Sequence, residues 1–320
     1  MAITLTQLRS FLAVLRTGSV TAAADDLVVT QPSVSAAVSA LSKELGVPLT
    51  EREGRSVRPT LAGQAFAAYA GDIVGLLEQG ARAAREAADA ATREVRVAAV
   101  TTAGEHIVPP LLEAFSERHP DIAVSLDVGN RERVFERVRS RRSDIAIGGR
   151  PGGEGIEGER FLDNPVAIIA APSDPLAGRA SVPIAELAGR PWLLREEGSG
   201  TRTMTEEFLA SHGLDPPVLT LGPNGAINQG ARAGLGLALQ SRLATELELE
   251  MGLLVTLDVA ATLPERHWYL LRARRGPLRP PVEKFMAFVR APEGHEAIDR
   301  ARRPAGRARA QPSAADTGSA

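Results

Sequence analysis

The chain has 320 residues, enough for two or more domains, and 44% of them are hydrophobic, which allows a sizeable core. The formal net charge is only −2, so any surface that binds nucleic acid must be local. The sequence has no cysteine, which excludes disulfides, thiolate zinc sites and cysteine nucleophiles. The N-terminus lacks a charged segment followed by an apolar stretch, and no run is long enough to cross a bilayer. We therefore expect a cytoplasmic protein without a membrane partner.

The first 46 residues carry the signals of three short helices. Residues 4–17 have leucines at helical spacing and end at Gly18, which predicts a first helix with its apolar stripe turned inward. The next stretch predicts two further helices joined by a tight turn. In the second of these, Thr30 is placed as an N-cap, Pro32 lies in the first turn, and Gly46 ends the run.

This third helix has one apolar face and one polar face. The apolar residues repeat at helical spacing and are Val34, Val38, Leu41 and Leu45. The opposite face is small and hydrogen-bonding, which suits a helix laid in a major groove. We expect contacts in the groove from four residues of this face: Gln31, Ser33, Ser35 and Ser39. We expect phosphate contacts from Thr30 and Lys43.

The segment that follows, residues 49–60, predicts a hairpin. Its centre is Glu53-Gly54-Arg55, a sequence typical of a hairpin tip, and Arg52, Arg55 and Arg58 are available for phosphates. Together with the preceding helices, this predicts a winged helix-turn-helix. The alternative is an ordinary pair of antiparallel helices followed by a loop.

Residues 61–93 are rich in alanine and predict one long helix, roughly 50 Å at ~1.5 Å per residue. Eight positions step by three and four residues in alternation, as in a heptad seam: Phe66, Tyr69, Ile73, Leu76, Gly80, Ala83, Ala87 and Ala90. Such a seam favours pairing with the same helix of a second chain. Packing on the protein's own C-terminal domain is the alternative.

From Glu94 onward, short apolar runs alternate with amphipathic segments, which predicts an α/β domain with parallel strands. The sharpest signal in this half is the run from Arg195 to Arg202, where a strand ends, Gly198-Ser199-Gly200 turns, and a helix begins. Free N–H groups at that helix N-terminus, the Ser199 and Thr201 hydroxyls and the Arg202 guanidinium predict an anion site. A plain N-cap beside a surface arginine is the alternative.

Four other junctions between strand and loop should face the same cleft and offer hydroxyl, amide or backbone donors. They suit a small polar metabolite, although each could be ordinary turn chemistry. The residues predicted at these junctions are Thr101, Thr102, Gly104, Gly129, Asn130, Gly149, Arg150, Asn224, Ala226 and Ile227, beside Ser199, Gly200, Thr201 and Arg202 at the anion site.

Residues 3–63 resemble the N-terminal domain of LysR-type transcriptional regulators. The matching segments are Leu5-Thr6-Gln7-Leu8-Arg9-Ser10-Phe11, Gly18-Ser19, Ala22-Ala23-Ala24, Gln31-Pro32-Ser33-Val34-Ser35, Leu45-Gly46-Val47-Pro48-Leu49 and Thr60-Leu61-Ala62-Gly63. The sequence departs from the family pattern at Val20 and Thr50, where phenylalanine is usual, and at Ala36, where a basic residue is frequent. The last departure puts one expected DNA contact in doubt.

The resemblance extends to about residue 292 and implies three parts. These are a DNA-binding winged helix-turn-helix over 1–60, a dimerising linker helix over 61–93, and a two-subdomain effector domain similar to periplasmic binding proteins over 94–292. Residues 293–320 are rich in Arg, Ala, Pro, Gly and Ser, and this composition predicts a disordered tail. The resemblance also implies double-stranded DNA, a small-molecule effector, a second copy of the chain in a dimer or tetramer, and RNA polymerase as candidate partners. No cofactor or metal is expected.

Three segments resemble the subgroup that controls carbon-fixation operons: Gly129-Asn130-Arg131-Glu132, Gly198-Ser199-Gly200-Thr201-Arg202 and Ala233-Gly234-Leu235-Gly236. That resemblance implies phosphorylated sugars, phosphoenolpyruvate or a nicotinamide nucleotide as ligands. The rival class is a solute-binding protein or enzyme with a helical extension. An enzyme is disfavoured because the five histidines are scattered and no nucleophile elbow, Walker A or dinucleotide motif is present.

Overall fold

The computed structural model describes residues 3–54, 56–89, 93–153 and 155–302. Arg55, predicted at the wing, and Ala90, predicted in the heptad seam, lie outside the described residues, as do residues 303–320 of the predicted tail. Within the described ranges, no helix is long and apolar enough to cross a membrane.

Three short helices form the N-terminal domain, as predicted. They are α1 (Leu5–Thr17), α2 (Val20–Leu27) and α3 (Gln31–Leu45). Each begins at a hydroxyl residue whose side chain accepts a backbone N–H of the first turn: Thr4, Ser19 and Thr30. Gly18 and Gly46 end the first and third helices in the left-handed conformation, where glycine avoids the strain that a Cβ would cause. Phe11, Val34 and Leu41 are fully buried at the centre of this domain.

The predicted wing is present as an antiparallel hairpin of β1 (Thr50–Glu53) and β2 (Ser56–Pro59). The Val57 N–H donates to the Gly18 carbonyl at 2.8 Å, which ties the wing to the end of α1. The helix-turn-helix and its wing therefore form one compact unit.

The linker is a single helix, α4 (Leu61–Ala88). Near its start, Phe66 packs on Phe11 with ring centroids 5.9 Å apart. Tyr69, Ile73 and Leu77 form an exposed apolar stripe. The opposite side of the helix is buried against the chain's own C-terminal domain at three positions: Gly75, Arg82 and Glu86. Own-chain packing thus accounts for part of the helix, and pairing through the predicted heptad seam, of which Tyr69 and Ile73 are exposed, stays a prediction.

Subdomain I is built on a five-stranded sheet in the order β4-β3-β5-β12-β6. The strands are β3 (Glu94–Val100), β4 (Ala123–Gly129), β5 (Ile145–Gly148), β6 (Ile156–Asp163) and β12 (His267–Ala273). The helices are α5 (Thr101–His106), α6 (Val108–Arg118), α7 (Arg131–Arg139), α11 (Pro280–Arg290) and α12 (Pro292–Arg302). β3 is parallel to β4 and β5, whereas β12 is antiparallel to both of its neighbours. The predicted parallel arrangement therefore holds for only half of the sheet.

Subdomain II has a three-stranded sheet in the order β10-β7-β11 and a parallel pair, β8-β9. The strands are β7 (Val166–Ala170), β8 (Trp192–Leu194), β9 (Val218–Thr220), β10 (Ala238–Ser241) and β11 (Val255–Thr256). The helices are α8 (Gly200–Ser211), α9 (Asn224–Arg232) and α10 (Glu246–Glu250). Trp192 is fully buried in this core. The chain passes between the subdomains at 163–166 and 265–267, where the Asn164 N–H donates to the Arg266 carbonyl at 3.0 Å.

Two local predictions are wrong. The tail does not begin at 293, because α12 forms there and buries Ala297 and Ile298 against the core of subdomain I. Arginine and glycine in this stretch suggested disorder, but two apolar residues at the right positions suffice to seat a helix that tertiary contacts stabilise. The predicted loop at 101–104 is instead the start of α5, which follows β3 without a break.

Candidate functional site

The exposed face of α3 carries the residues predicted to enter the groove. Gln31, Ser33, Ser35 and Ser39 are all exposed, and so is Lys43. Thr30 has a structural contact as well, since its hydroxyl lies 2.8 Å from the Ser33 hydroxyl and caps the helix. The helix therefore presents short polar side chains from its first turns to solvent.

The wing is less positively charged than the sequence suggests. Arg58 forms ion pairs with Glu51 at 2.8 Å and Glu53 at 3.0 Å, all within the exposed hairpin. Arg52 is exposed on the same hairpin. Since exposed pairs of this kind are weak, Arg58 can exchange its carboxylates for a phosphate at small cost.

A cavity of about 30 Å³, partly open to solvent, lies between the two subdomains. Seven of the predicted residues line it: Thr101, Thr102, Asn130, Gly149, Ser199, Gly200 and Thr201. The structure therefore brings together the junctions predicted to face one cleft.

The other seven predicted residues lie outside this lining. Gly104 packs on β4, where a Cβ would approach Val128 to 2.6 Å. Ile227 is fully buried in the core of subdomain II, and Ala226 lies beside it on α9. Gly129 lines a second, more open cavity on the rim of the cleft.

The three remaining residues make contacts outside the cavity lining. Arg202 pairs with Glu206 at 2.8 Å, one turn along α8. Arg150 is exposed and contributes its carbonyl, which accepts from Arg131 Nη2 at 2.9 Å. Asn224 is buried and donates across the cleft to the Thr102 hydroxyl at 2.9 Å.

Three arginines that were not predicted as site residues line the cavity: Arg131, Arg195 and Arg266. Arg195 is neutralised by Glu196, with both distances 2.8 Å. In the described part of the chain, neither Arg131 nor Arg266 forms an ion pair with a carboxylate. The Arg131 guanidinium lies 4.0 Å from the centre of the Phe135 ring, and Arg266 donates to the Thr201 hydroxyl at 3.4 Å. Among the described residues, the cavity therefore holds two guanidinium groups whose charge no carboxylate neutralises.

Burial and repulsion by a neighbouring arginine lower the pKa of each of these groups. Burial, with a smaller contribution from the charge of Arg131, lowers the pKa of Arg266 to about 10. Burial also lowers the pKa of Arg131, and Arg139 adds to the effect. A lowered arginine pKa means that the charged form is held at a free-energy cost, which an anion between the two groups would offset.

A neutral donor completes the lining. Asn164 is 1% exposed, and its Oδ1 accepts from the Ser241 hydroxyl at 2.6 Å. Its Nδ2 has no hydrogen-bond partner among the described residues. The N-termini of α7 and α8 also open onto the cavity, at Asn130-Arg131 and Ser199-Gly200, and add the positive ends of two helix dipoles.

The sequence carries little signal for these missed residues. Arg131 is one of six arginines between positions 131 and 142, and Asn164 and Arg266 lie on short crossover segments without a motif. The one usable cue is position: both crossovers must pass the mouth of a cleft between two subdomains, so their polar side chains are candidates.

The cleft is closed by hydrogen bonds between the subdomains. Asn130 Nδ2 donates to the Glu197 carbonyl at 3.1 Å, and the Glu132 N–H donates to the Gly198 carbonyl at 3.3 Å. Gly198 has φ +76°, and a Cβ there would lie 2.8 Å from both the Asn130 amide nitrogen and a Glu132 carboxylate oxygen. Only glycine permits this approach.

The described lining offers many donors, two free cations and no carboxylate, which suits recognition of an anion with several acceptor oxygens rather than general acid–base chemistry. A winged helix-turn-helix joined by one long helix to such a cleft defines a ligand-responsive transcription regulator. Family models agree. The helix-turn-helix of bacterial regulatory proteins of the lysR family matches residues 5–64, and the LysR substrate binding domain matches residues 88–292. The chain belongs to the LysR family.

Curated relatives match almost the whole chain. The RuBisCO operon transcriptional regulator of Allochromatium vinosum is 38% identical over 291 residues, covering 90% of this chain and 96% of the relative. The transcriptional activator CmpR of Synechocystis is 35% identical over 288 residues, covering 89% and 94%. These matches confirm the resemblance to the carbon-fixation subgroup, and they are transcription regulators rather than enzymes.

Solved structures support the same fold. The regulatory domain of CcmR from Synechocystis, in complex with 2-PG, matches with a TM-score of 0.59 and 33% identity over 62% of this chain and 95% of that domain. A full-length OxyR variant from Pseudomonas aeruginosa matches with a TM-score of 0.61 over 93% of this chain and 95% of that one, and at 21% identity it shows the fold alone.

Proposed function

We propose that this protein regulates a carbon-fixation operon in response to a small phosphorylated or similarly anionic metabolite bound between its subdomains. The observation that carries the ligand assignment is the pair Arg131 and Arg266, which share one cavity without a carboxylate partner among the described residues. Two partly buried guanidinium groups without a carboxylate partner are unfavourable, and a dianion is the smallest ligand that neutralises both.

The relatives support the same ligand class and the same kind of target. CmpR and the RuBisCO operon regulator are named for transcriptional control, and the structure of the CcmR domain is a complex with 2-PG. 2-Phosphoglycolate carries a phosphate and a carboxylate, so its acceptors match the donors of the cavity. Phosphoenolpyruvate and phosphorylated sugars belong to the same chemical class.

The DNA-binding side consists of α3 and the wing. Gln31, Ser33, Ser35 and Ser39, which are exposed on α3, would read base edges. Lys43 and Arg52 would contact phosphates, and Arg58 would join them once it leaves its carboxylates. Two copies paired through Tyr69, Ile73 and Leu77 of α4 would present two recognition helices to a dyad-symmetric site. The protein would act in the cytoplasm, with RNA polymerase as a candidate partner at the promoter.

The mechanism is a population shift. A ligand that bridges Arg131 in subdomain I and the N-terminus of α8 in subdomain II favours one arrangement of the subdomains. Because α4 joins that domain to the helix-turn-helix, the arrangement sets the geometry of the two recognition helices on DNA.

A gel-shift titration tests the proposal. The probe is the intergenic DNA beside the protein's own gene, with excess random duplex as competitor and with 2-phosphoglycolate present or absent. A discrete shift that survives competitor and changes with 2-phosphoglycolate supports the proposal. A shift that random duplex removes in step with cognate DNA contradicts sequence-specific binding.

A further inference from the structure

Two elements of subdomain I have one end at the cavity and the other at the linker helix. On α7, Arg131 lines the cavity, and Arg141 follows the C-terminal end of the helix and contacts α4. On β5, Gly149 lines the cavity, and Asp144 precedes the strand and contacts Arg82 of α4. The span along either element is about 15 Å, at ~1.5 Å per helical residue and ~3.3 Å per strand residue.

Arg141 is the first contact. Its side chain is 2% exposed, and its guanidinium donates to Gln79 at 3.2 Å and Asp72 at 3.3 Å, both on α4. The same guanidinium donates to the Arg275 carbonyl at 2.6 Å. Gly75 of α4 faces the stem of this arginine, where a Cβ would lie 2.7 Å from the Arg141 Cβ. The linker therefore approaches subdomain I at a distance that only glycine allows.

A buried charge cluster is the second contact. Arg279 pairs with Glu86 of α4 and with Asp144 at 2.7 Å. Arg82 of α4 lies 3.6 Å from Asp144. These four residues are all less than 10% exposed, and Arg279 also donates to the Glu94 carbonyl at 3.0 Å. Buried charges that are paired in this way resist separation, because each partner would be left unsolvated.

Both contacts lie in subdomain I. In the described ranges, every hydrogen bond and ion pair between α4 and the effector domain goes to this subdomain. Subdomain II is joined to it by the crossovers at 163–166 and 265–267 and by the hydrogen bonds across the cleft. The linker helix and subdomain I thus form one body, on which subdomain II can move.

We propose that Arg141 and the cluster of Arg82, Glu86, Asp144 and Arg279 are positioning residues that transmit the state of the cavity to the DNA-binding domain. Subdomain I is the body that turns α4. The N-terminal end of α7 binds the anion, and the opposite end moves α4 through the contact between Arg141 and Gly75. This inference rests on the proposed function, since it requires an effector in the cleft.

Adding one methyl group to α4 tests the contact between Gly75 and Arg141. Gly75→Ala pushes α4 away from Arg141, while alanine favours the helix itself. Gly71→Ala on the same helix is the matched control, because a Cβ there meets nothing within 4 Å. Arg141→Met is a second variant, and it leaves Asp72, whose side chain is 31% exposed, in contact with water.

Three quantities are measured on the full chain with the operator fragment from the gel shift. They are the Kd for 2-phosphoglycolate by calorimetry, the Kd for DNA without ligand, and the ligand-induced change in DNA bending by energy transfer between end-labelled fluorophores. We expect Gly75→Ala and Arg141→Met to keep both Kd values within about twofold of the natural protein's values. The ligand-induced change in DNA bending should be at least about fivefold smaller than in the natural protein. Gly71→Ala should respond like the natural protein.

A full bending response in Gly75→Ala and Arg141→Met overturns the inference, and so does a response lost only in proportion to ligand affinity. If both variants keep their bending response while the natural protein binds and responds to 2-phosphoglycolate, the proposed function is retained and the role of Arg141 and the charge cluster is rejected. A natural protein that shifts DNA but neither binds nor responds to 2-phosphoglycolate contradicts the effector proposal, and this inference falls with it.

Discussion

Replacing Arg266 by methionine should change stability and ligand affinity in opposite directions. In the ligand-free protein the guanidinium is held against burial and against the charge of Arg131, and its hydrogen bond to the Thr201 hydroxyl is a long one, at 3.4 Å. Methionine fills similar space without a charge. Since apolar replacement of buried charge is often neutral or stabilising, we expect a gain of about 1 kcal/mol, or roughly 2–4 °C in Tm.

With an anion present, the same change removes a charge-assisted hydrogen bond. Such bonds contribute about 1.5–3 kcal/mol, so 2-phosphoglycolate should bind roughly 10- to 150-fold more weakly. Thermal unfolding and calorimetry measure the two effects on one preparation. Arg202→Met is the matched control: it removes a partly exposed pair with Glu206 outside the cavity lining, and both quantities should change little. A lower Tm with unchanged affinity for 2-phosphoglycolate in Arg266→Met would show that Arg266 stabilises the fold and does not bind the anion.

Three further predictions concern the cavity, the closed cleft and the recognition helix. Sulfate serves as a probe anion because its own charge does not change between about pH 8 and 11. The affinity of the cavity for sulfate should be constant from about pH 8 to 9 and fall as pH rises through about 10, where Arg266 loses its proton. A sulfate affinity that does not depend on pH up to about 11 would contradict the role of Arg266 as an anion ligand. Gly198→Ala should cost about 1–2 kcal/mol in unfolding free energy, because φ is +76°, and should weaken 2-phosphoglycolate binding by opening the cleft; unchanged binding would show that the closed cleft is not required. Gln31→Ala with Ser33→Ala should weaken cognate DNA binding by about 1–3 kcal/mol and random duplex much less, and equal losses in competition gel shifts would exclude base readout there.

Local signals were sufficient to predict the N-terminal domain. Thr30, Pro32 and Gly46 mark the ends of the recognition helix through capping and φ preferences, which depend on a few neighbouring residues. The wing followed from a hairpin tip between two short runs. The structure confirms all of these elements, because none depends on distant contacts.

The cavity could be predicted only in part, because its charges depend on tertiary pairing. Ser199, Gly200 and Thr201 were found from a strand-turn-helix pattern, but Arg202 in the same run turns along its helix to Glu206. Arg131 is one arginine among many in its segment, and the sequence does not show which of them lacks a carboxylate. The unpartnered Asn164 amide is likewise visible only once both crossovers are placed side by side in the described structure.

The predicted end of the folded domain at residue 292 is wrong for a related reason. Composition over 293–320 is typical of a disordered segment, yet Ile298 is fully buried where α12 packs against the rest of subdomain I. A few apolar residues decide whether such a segment folds, and their effect depends on a complementary surface elsewhere in the chain.

In the proposed function, an anion between Arg131 and Arg266 changes how the protein holds its operator. The most direct measurement is a DNase I footprint of the full chain on that DNA, with and without 2-phosphoglycolate, for the natural protein and for Arg131→Met combined with Arg266→Met. The natural protein should change its footprint when 2-phosphoglycolate is added, while the double variant should bind the same DNA with the ligand-free footprint at every ligand concentration. A double variant that responds like the natural protein would contradict the claim.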